Sequence, residues 1–124
     1  MGATTIWERW NSVLPNGKIS GTGMNSLNHY TYGSIVQWMY EHICGLTLTS
    51  PGFKSFKIRP EFDGHFTHVS MRYNSPMGVI KTGWEKTDSG HKVTVTVPFD
   101  TTAVLELPNK QPIRLLPGNH TITV

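Results

Sequence analysis

The hydrophobic residues of this chain follow one period up to about residue 45 and another beyond it, and few folds accommodate both. In the second part the period is two. HKVTVTVP sets Val93, Val95 and Val97 against Thr94 and Thr96, MGVIKTGWEK sets Ile80, Thr82 and Trp84 against Lys81 and Glu85, and FTHVSMRYN and TTAVLELP alternate in the same way. Successive side chains of a strand point to opposite faces, so each stretch reads as a strand with one buried and one solvated face. Turn-forming residues separate them at Asp63-Gly64, Asn74-Ser75-Pro76, Asp88-Ser89-Gly90, Pro108-Asn109 and Pro117-Gly118-Asn119. Roughly six or seven short antiparallel strands, each apolar on one face, bury those faces by stacking two sheets. The spacing therefore predicts a β-sandwich over residues 53–124 with Ile80, Trp84, Val93, Val95, Val97, Leu105 and Leu107 in its core.

In the first part, Tyr32, Ile35, Val36, Met39 and Ile43 recur at the spacing of one helix face, which predicts an α-helix over 24–44. Asn25 or Ser26 would cap its start, Gly45 would follow its end as the C′ residue, and Trp38 would pack in the core. Before it lie Pro15-Asn16-Gly17 and Gly21-Thr22-Gly23, so residues 1–23 read as loop apart from a short helical turn around Trp7 to Val13. A loop of that length is usually functional or poorly ordered. Residues 46–52 read as a linker. The expected fold is mainly β: an antiparallel β-sandwich preceded by an N-terminal α-helix that cannot close a core by itself.

A chain of 124 residues allows one domain, or one domain with an appendage. Residues 1–45 balance Arg9 and Lys18 against Glu8 and Glu41, so the net charge of +3 resides in the second part. There the lysines and arginines stand singly, the pattern of a solvated surface and not of a nucleic-acid footprint, and no nucleic-acid partner is expected. Cys44, the only cysteine, lies within the apolar helical pattern and reads as a small buried hydrophobe. His29, His42, His65, His68, His91 and His120 show no paired ligand spacing, so neither a metal nor another cofactor is expected, and His65 and His68 read as surface residues. No run of about 18 apolar residues and no basic-then-apolar leader occurs, which predicts neither a membrane span nor a signal peptide.

Two short stretches in the loop-rich part carry chemistry. WERW places Glu8 between Trp7 and Trp10, and NHY places His29 beside Tyr30. Taken alone, Glu8 is either a surface residue beside two core aromatics or a functional carboxylate, and His29 either a polar residue near a helix terminus or a ligand-facing one. Trp7 and Trp10 suit core packing and sugar stacking equally.

The blocks GATTIWERW, MNSLNHYTYGSIVQWMYEHICGL, PGFKSFKIRP, YNSPMGVIKTGWEK and VTVPFDTTAVLELP together, in order and spacing, resemble the C-terminal end of the bacterial α-L-rhamnosidases of glycoside hydrolase family 78. The resemblance covers nearly the whole chain. It implies that residues 1–45 are the last part of an (α/α)6 barrel catalytic domain and that 53–124 are the β-sandwich following it. It also implies that Glu8 is the general base of an inverting hydrolase, that His29 contacts rhamnose, and that the partners are rhamnose-containing glycans. Trp7 and Trp10 join His29 as candidate substrate-binding residues because their rings can stack on a sugar. The family's general acid lies in an aspartate-rich block that has no counterpart here. The expectation is a C-terminal part of such an enzyme, inactive alone. The alternatives are a stand-alone sandwich that binds carbohydrate or a partner protein, and a homo-oligomer whose copies bring their Glu8 residues together in a new site. The apolar stripe of the helix is expected to be covered either by the chain's own sandwich or by pairing with the same helix, 25–44, in a second copy.

Overall fold

The computed structural model describes residues 2–21 and 23–124, which form two compact units, 1–37 and 38–124. The expected Gly21-Thr22-Gly23 loop thus lies partly outside the described residues.

The second unit is the sandwich. Its strands are β1 (Leu46–Leu48), β2 (Ser55–Ile58), β3 (His68–Ser75), β4 (Gly78–Thr87), β5 (Gly90–Val97), β6 (Thr102–Leu105), β7 (Ile113–Leu115) and β8 (Gly118–Thr123). One sheet has the order β3-β4-β5-β8 and is antiparallel throughout; the other has the order β1-β2-β6-β7. Two-residue turns, Pro76-Met77 and Asp88-Ser89, fold β3, β4 and β5 into consecutive hairpins, so their register follows directly from the turns. The β2–β6 pair is parallel, with Ser55 opposite Thr102 and Ile58 opposite Leu105, which departs from the all-antiparallel expectation. A parallel pair needs a long crossover, and here the hairpins of the other sheet supply it. The sequence in between cannot reveal that its two ends return to one sheet.

The two inner faces meet in one core. Ile80, Trp84, Val93, Val95, Val97, Leu105 and Leu107 are all buried, as alternation predicts, and Phe56, Ile58, Met71, Ala103 and Leu115 join them. The stretch 46–52, expected as a linker, instead contributes β1, with Leu46 buried opposite Ile58. LTL is too short for its period to show.

The helical segment differs most from expectation. It runs as a 3₁₀ turn over Tyr30–Gly33, an α-helical piece α1 over Ser34–Trp38, and a π-helical piece over Met39–Ile43. Residues 24–29 are not helical, and neither Asn25 nor Ser26 caps the helix; His29 stands at the N-cap and makes no side-chain cap bond. The C-terminal end is as predicted: Cys44 is the C-cap and buried, and Gly45 follows at φ 73°. A Cβ on Gly45 would fall 2.1 Å from the Arg59 carbonyl carbon, so both backbone angle and space require glycine there. Tyr40 packs on the sandwich core, its hydroxyl donating to the Arg72 carbonyl at 3.4 Å, and Trp84 Nε1 donates to the Ile43 carbonyl at 3.5 Å. Trp38, expected in the core, is 46% exposed, and Tyr32, Ile35, Val36 and Met39 are exposed too.

In the first unit no helical turn forms at Trp7 to Val13. A single turn at Trp10-Asn11, closed by the Ser12 amide on the Arg9 carbonyl at 3.1 Å, leads into a narrow loop bridged between Val13 and Ile19.

Candidate functional site

The residues singled out in the sequence lie together in the first unit because two extended stretches, 5–8 and 26–29, exchange hydrogen bonds. The Glu8 amide donates to the Ser26 carbonyl at 2.9 Å and the His29 amide to the Ile6 carbonyl at 2.8 Å, while the Thr5 hydroxyl donates to the Leu27 carbonyl. This crossing brings Glu8 and His29 side by side although 21 positions separate them. The intervening loop is tied down by Asn25, whose side-chain amide donates to the Ser12 carbonyl at 3.1 Å and the Ser20 carbonyl at 3.2 Å. Ser12 is buried, and its hydroxyl accepts from the Arg9 amide at 3.1 Å. Asn25, Ser26 and Ser12 thus position the stretch around Glu8, a role the sequence did not suggest. Only the surplus of Asn and Ser in a segment read as helix could have hinted at it, since these side chains compete with helical bonds.

The Glu8 carboxylate is held at one oxygen. The Ser26 amide donates to Oε2 at 2.8 Å, and His29 Nδ1 lies 4.0 Å from the same atom. The Glu8 side chain is 19% exposed and that of His29 30% exposed, so both reach solvent. Tyr32 supports both: its ring is tilted against the His29 imidazole with 5.1 Å between centroids, and its hydroxyl donates to the Glu8 carbonyl at 3.4 Å.

Glu8 also lines a groove of about 630 Å³ together with Thr5, Ile6, Trp7, Trp10 and Tyr32. Trp7 is half-buried, whereas Trp10 is 100% exposed and packs in no core. His29 does not line this groove; it adjoins it through Glu8 and Tyr32. A carboxylate beside an imidazole, with an open indole face within the same groove, is an arrangement suited to orienting a hydroxyl-bearing molecule and exchanging a proton with it. Among the described residues no group of three His, Cys, Asp or Glu side chains is placed to hold a metal ion.

Comparison with known proteins adds to this geometry. Residues 45–120 match the family model of the bacterial α-L-rhamnosidase C-terminal domain, and residues 1–43 match that of the bacterial α-L-rhamnosidase six-hairpin glycosidase domain. An α-L-rhamnosidase of Streptomyces avermitilis is 39% identical over 114 residues, covering 92% of this chain and 11% of that protein. One of Formosa agariphila is 40% identical over 122 residues, covering 98% of this chain and 13% of its own length. Among solved structures, the S. avermitilis α-L-rhamnosidase complexed with L-rhamnose superimposes with a TM-score of 0.76 at 32% identity, over 99% of this chain and 14% of that one. The Aspergillus terreus enzyme gives 0.75 at 35% identity, over 98% of this chain and 14% of its own. The chain therefore spans between a tenth and a sixth of the length of these relatives.

Proposed function

Because the chain belongs to the bacterial α-L-rhamnosidase family, we propose that it is the part of an inverting α-L-rhamnosidase that carries the general base, Glu8, and the sandwich that follows it in sequence. In this reading residues 1–45 end the catalytic barrel and 53–124 are the domain that follows. Glu8 deprotonates the water that attacks the anomeric carbon of a terminal α-L-rhamnoside from the face opposite the leaving group.

The observation that supports the reading best is the Glu8 carboxylate pinned by the Ser26 amide on the wall of an aromatic-lined groove. With Oε2 fixed, Oε1 takes the proton of the water. His29, 4.0 Å from Oε2, offers its imidazole to a rhamnose hydroxyl, and the Trp7 and Trp10 faces suit the apolar side of the sugar ring.

Inversion needs a second carboxyl group about 6.5–9.5 Å from the first to protonate the departing oxygen. Glu8 and Glu41 are the two side-chain carboxylates of residues 1–45, and the aspartate-rich block that carries the family's acid has no counterpart in this chain, so in this reading the acid comes from a barrel segment outside it. Acid–base catalysis contributes about 10²–10⁴ in rate and positioning about 7–11 kcal/mol, and both need that segment. The isolated chain is accordingly inactive. The test is to assay an activated aryl α-L-rhamnoside and a natural one with the chain alone and mixed with a separately expressed barrel segment. Activity on mixing only, with the released rhamnose first formed as the inverted anomer by NMR, supports the reading. Turnover of a natural rhamnoside by the chain alone at about 1 per second or more overturns it.

The exposed apolar residues Tyr32, Ile35 and Val36 of the first unit would be covered by barrel helices in the complete enzyme. In the isolated chain we propose that a second copy covers them. Sedimentation should then show a dimer that Ile35→Glu dissociates, and a monomer at high concentration excludes the pairing.

A further inference from the structure

The outer face of the β3-β4-β5-β8 sheet carries a pairing that costs the fold stability and that nothing in the hydrolytic reading uses. Arg72 of β3 stands directly opposite Lys81 of β4. The Lys86 amide donates to the Thr67 carbonyl at 2.8 Å, which sets the phase of the ladder. Counting from that bonded pair, Arg72 and Lys81 occupy a non-hydrogen-bonded site, where opposed α-carbons approach to about 4.5 Å and side chains are closest. Like charges placed directly opposite each other destabilise a sheet. The ion pairs of the described residues do not relieve this one: Glu85 is held by Lys92 at 2.8 Å, and Arg72 meets only the Asn74 side-chain carbonyl, at 3.4 Å.

Beside the two cations the sheet is hollow. Ser70, Gly83 and Thr94 form the next row across β3, β4 and β5, two residues along each strand. A Cβ on Gly83 would lie 2.7 Å from the Val69 carbonyl oxygen, so the close approach of β3 requires glycine, and the layer of outward side chains is interrupted there. The result is a trough of about 670 Å³ with Gly83 in its floor and Ser70 and Thr94 on either side, the Thr94 hydroxyl donating to the Gly83 carbonyl at 3.4 Å. Arg72 and Lys81 line one end, and His68 with the Glu85–Lys92 ion pair, which leaves the Glu85 charge neutralised, lines the other.

We propose that this trough binds an acidic polysaccharide, with a uronate carboxylate seated between Arg72 and Lys81 and sugar hydroxyls against Ser70 and Thr94. The Arg72 guanidinium matches a carboxylate in a planar, two-bond fork, and the Lys81 ammonium adds a point charge from the neighbouring strand. The anion removes the repulsion that the fold otherwise bears. Choosing a glycan among polyanions rests on the rhamnosidase reading, but the site lies wholly in the sandwich unit and its occupancy does not depend on Glu8.

The test is affinity electrophoresis of the full chain through gels containing polygalacturonate, dextran or double-stranded DNA, at low salt and with 0.5 M NaCl added, roughly fivefold beyond the ionic strength at which screening is already strong. Retardation by polygalacturonate alone is expected, weakened about tenfold or more in an Arg72→Gln/Lys81→Gln double variant. A Lys54→Gln/Lys110→Gln variant, with the same change of net charge, should bind as the parent does. Lys81→Glu, which gives Arg72 a partner, should lose binding while melting at or above the parent temperature, separating lost recognition from lost folding. Equal retardation by dextran or DNA, equal loss in the Lys54/Lys110 control, or undiminished binding in the double variant would each overturn the proposal. Glu8→Gln should leave binding unchanged, so failure here and failure of the hydrolytic reading give different results.

Discussion

Adjacent residues on β4 offer a direct test of how the sandwich holds together. Ile80 is 0% exposed and faces the core, whereas Lys81 points outward. Ile80→Ala removes three carbons, worth about 0.8 kcal/mol each in transfer, or roughly 2.4 kcal/mol in all. The cavity left in the buried cluster beside Tyr73, the residue opposite Ile80, adds to this, because strands locked by hairpins on both sides relax little, for a total of about 3 kcal/mol. For a domain of this size each kcal/mol lowers Tm by about 4–8 °C, so the variant should melt roughly 12–24 °C below the parent. Lys81→Ala, one residue on, should leave Tm unchanged or raise it slightly through relief of its repulsion with Arg72. Calorimetry with near-ultraviolet circular dichroism of Trp84 measures both. A loss of less than about 1 kcal/mol for Ile80→Ala, or equal losses for the two variants, would refute the assigned inward and outward faces.

Two further outcomes follow from single positions. Gly45→Ala must abandon φ 73° and push back the Arg59–Pro60 backbone, so it should destabilise by more than about 1 kcal/mol and expose the Cys44 thiol to labelling; a neutral effect would contradict the tight crossing. The Lys92 ammonium, hydrogen-bonded to the Glu85 carboxylate, holds Glu85 below the usual carboxylate range, so this pair's contribution is present above about pH 4.3 and is lost as pH falls through the depressed folded value. Lys92→Gln should shift the Glu85 carboxyl titration, followed by NMR, upward towards its ordinary position, and no shift would show that the pair does not form in solution.

The strands of the sandwich were legible in the sequence because one face of each is buried and the other wet, which writes a period of two into the residues themselves. Val93, Val95 and Val97 needed nothing more. What escaped was whatever depends on partners distant in sequence. Leu46–Leu48 is a strand because Phe56, Lys57 and Ile58 lie beside it, and three residues carry no pattern of their own. Residues 24–29 share their apolar and polar rhythm with a helix, but the bonds from Asn25 to the Ser12 and Ser20 carbonyls and from the Ser26 amide to Glu8 take the groups a helix would use. The π-helical turn at Met39–Ile43 shifts the apolar stripe, leaving Ile43 buried and Met39 exposed although the spacing had put them on one face. For the candidate site, residue types could be read but their meeting could not: nothing in the spacing of Glu8 and His29 reveals the crossing of 5–8 with 26–29 that joins them.

The role of Glu8 is tested most directly by reconstituting activity with an upstream barrel segment and comparing the parent chain with Glu8→Gln, which keeps the shape of the side chain and removes its capacity as a base. Steady-state kinetics on a natural α-L-rhamnoside should show kcat lowered about 10²–10⁴-fold with KM nearly unchanged and Tm within a degree or two of the parent. A kcat within about threefold of the parent, in a variant that folds and associates normally, would contradict the assignment of Glu8 as the base.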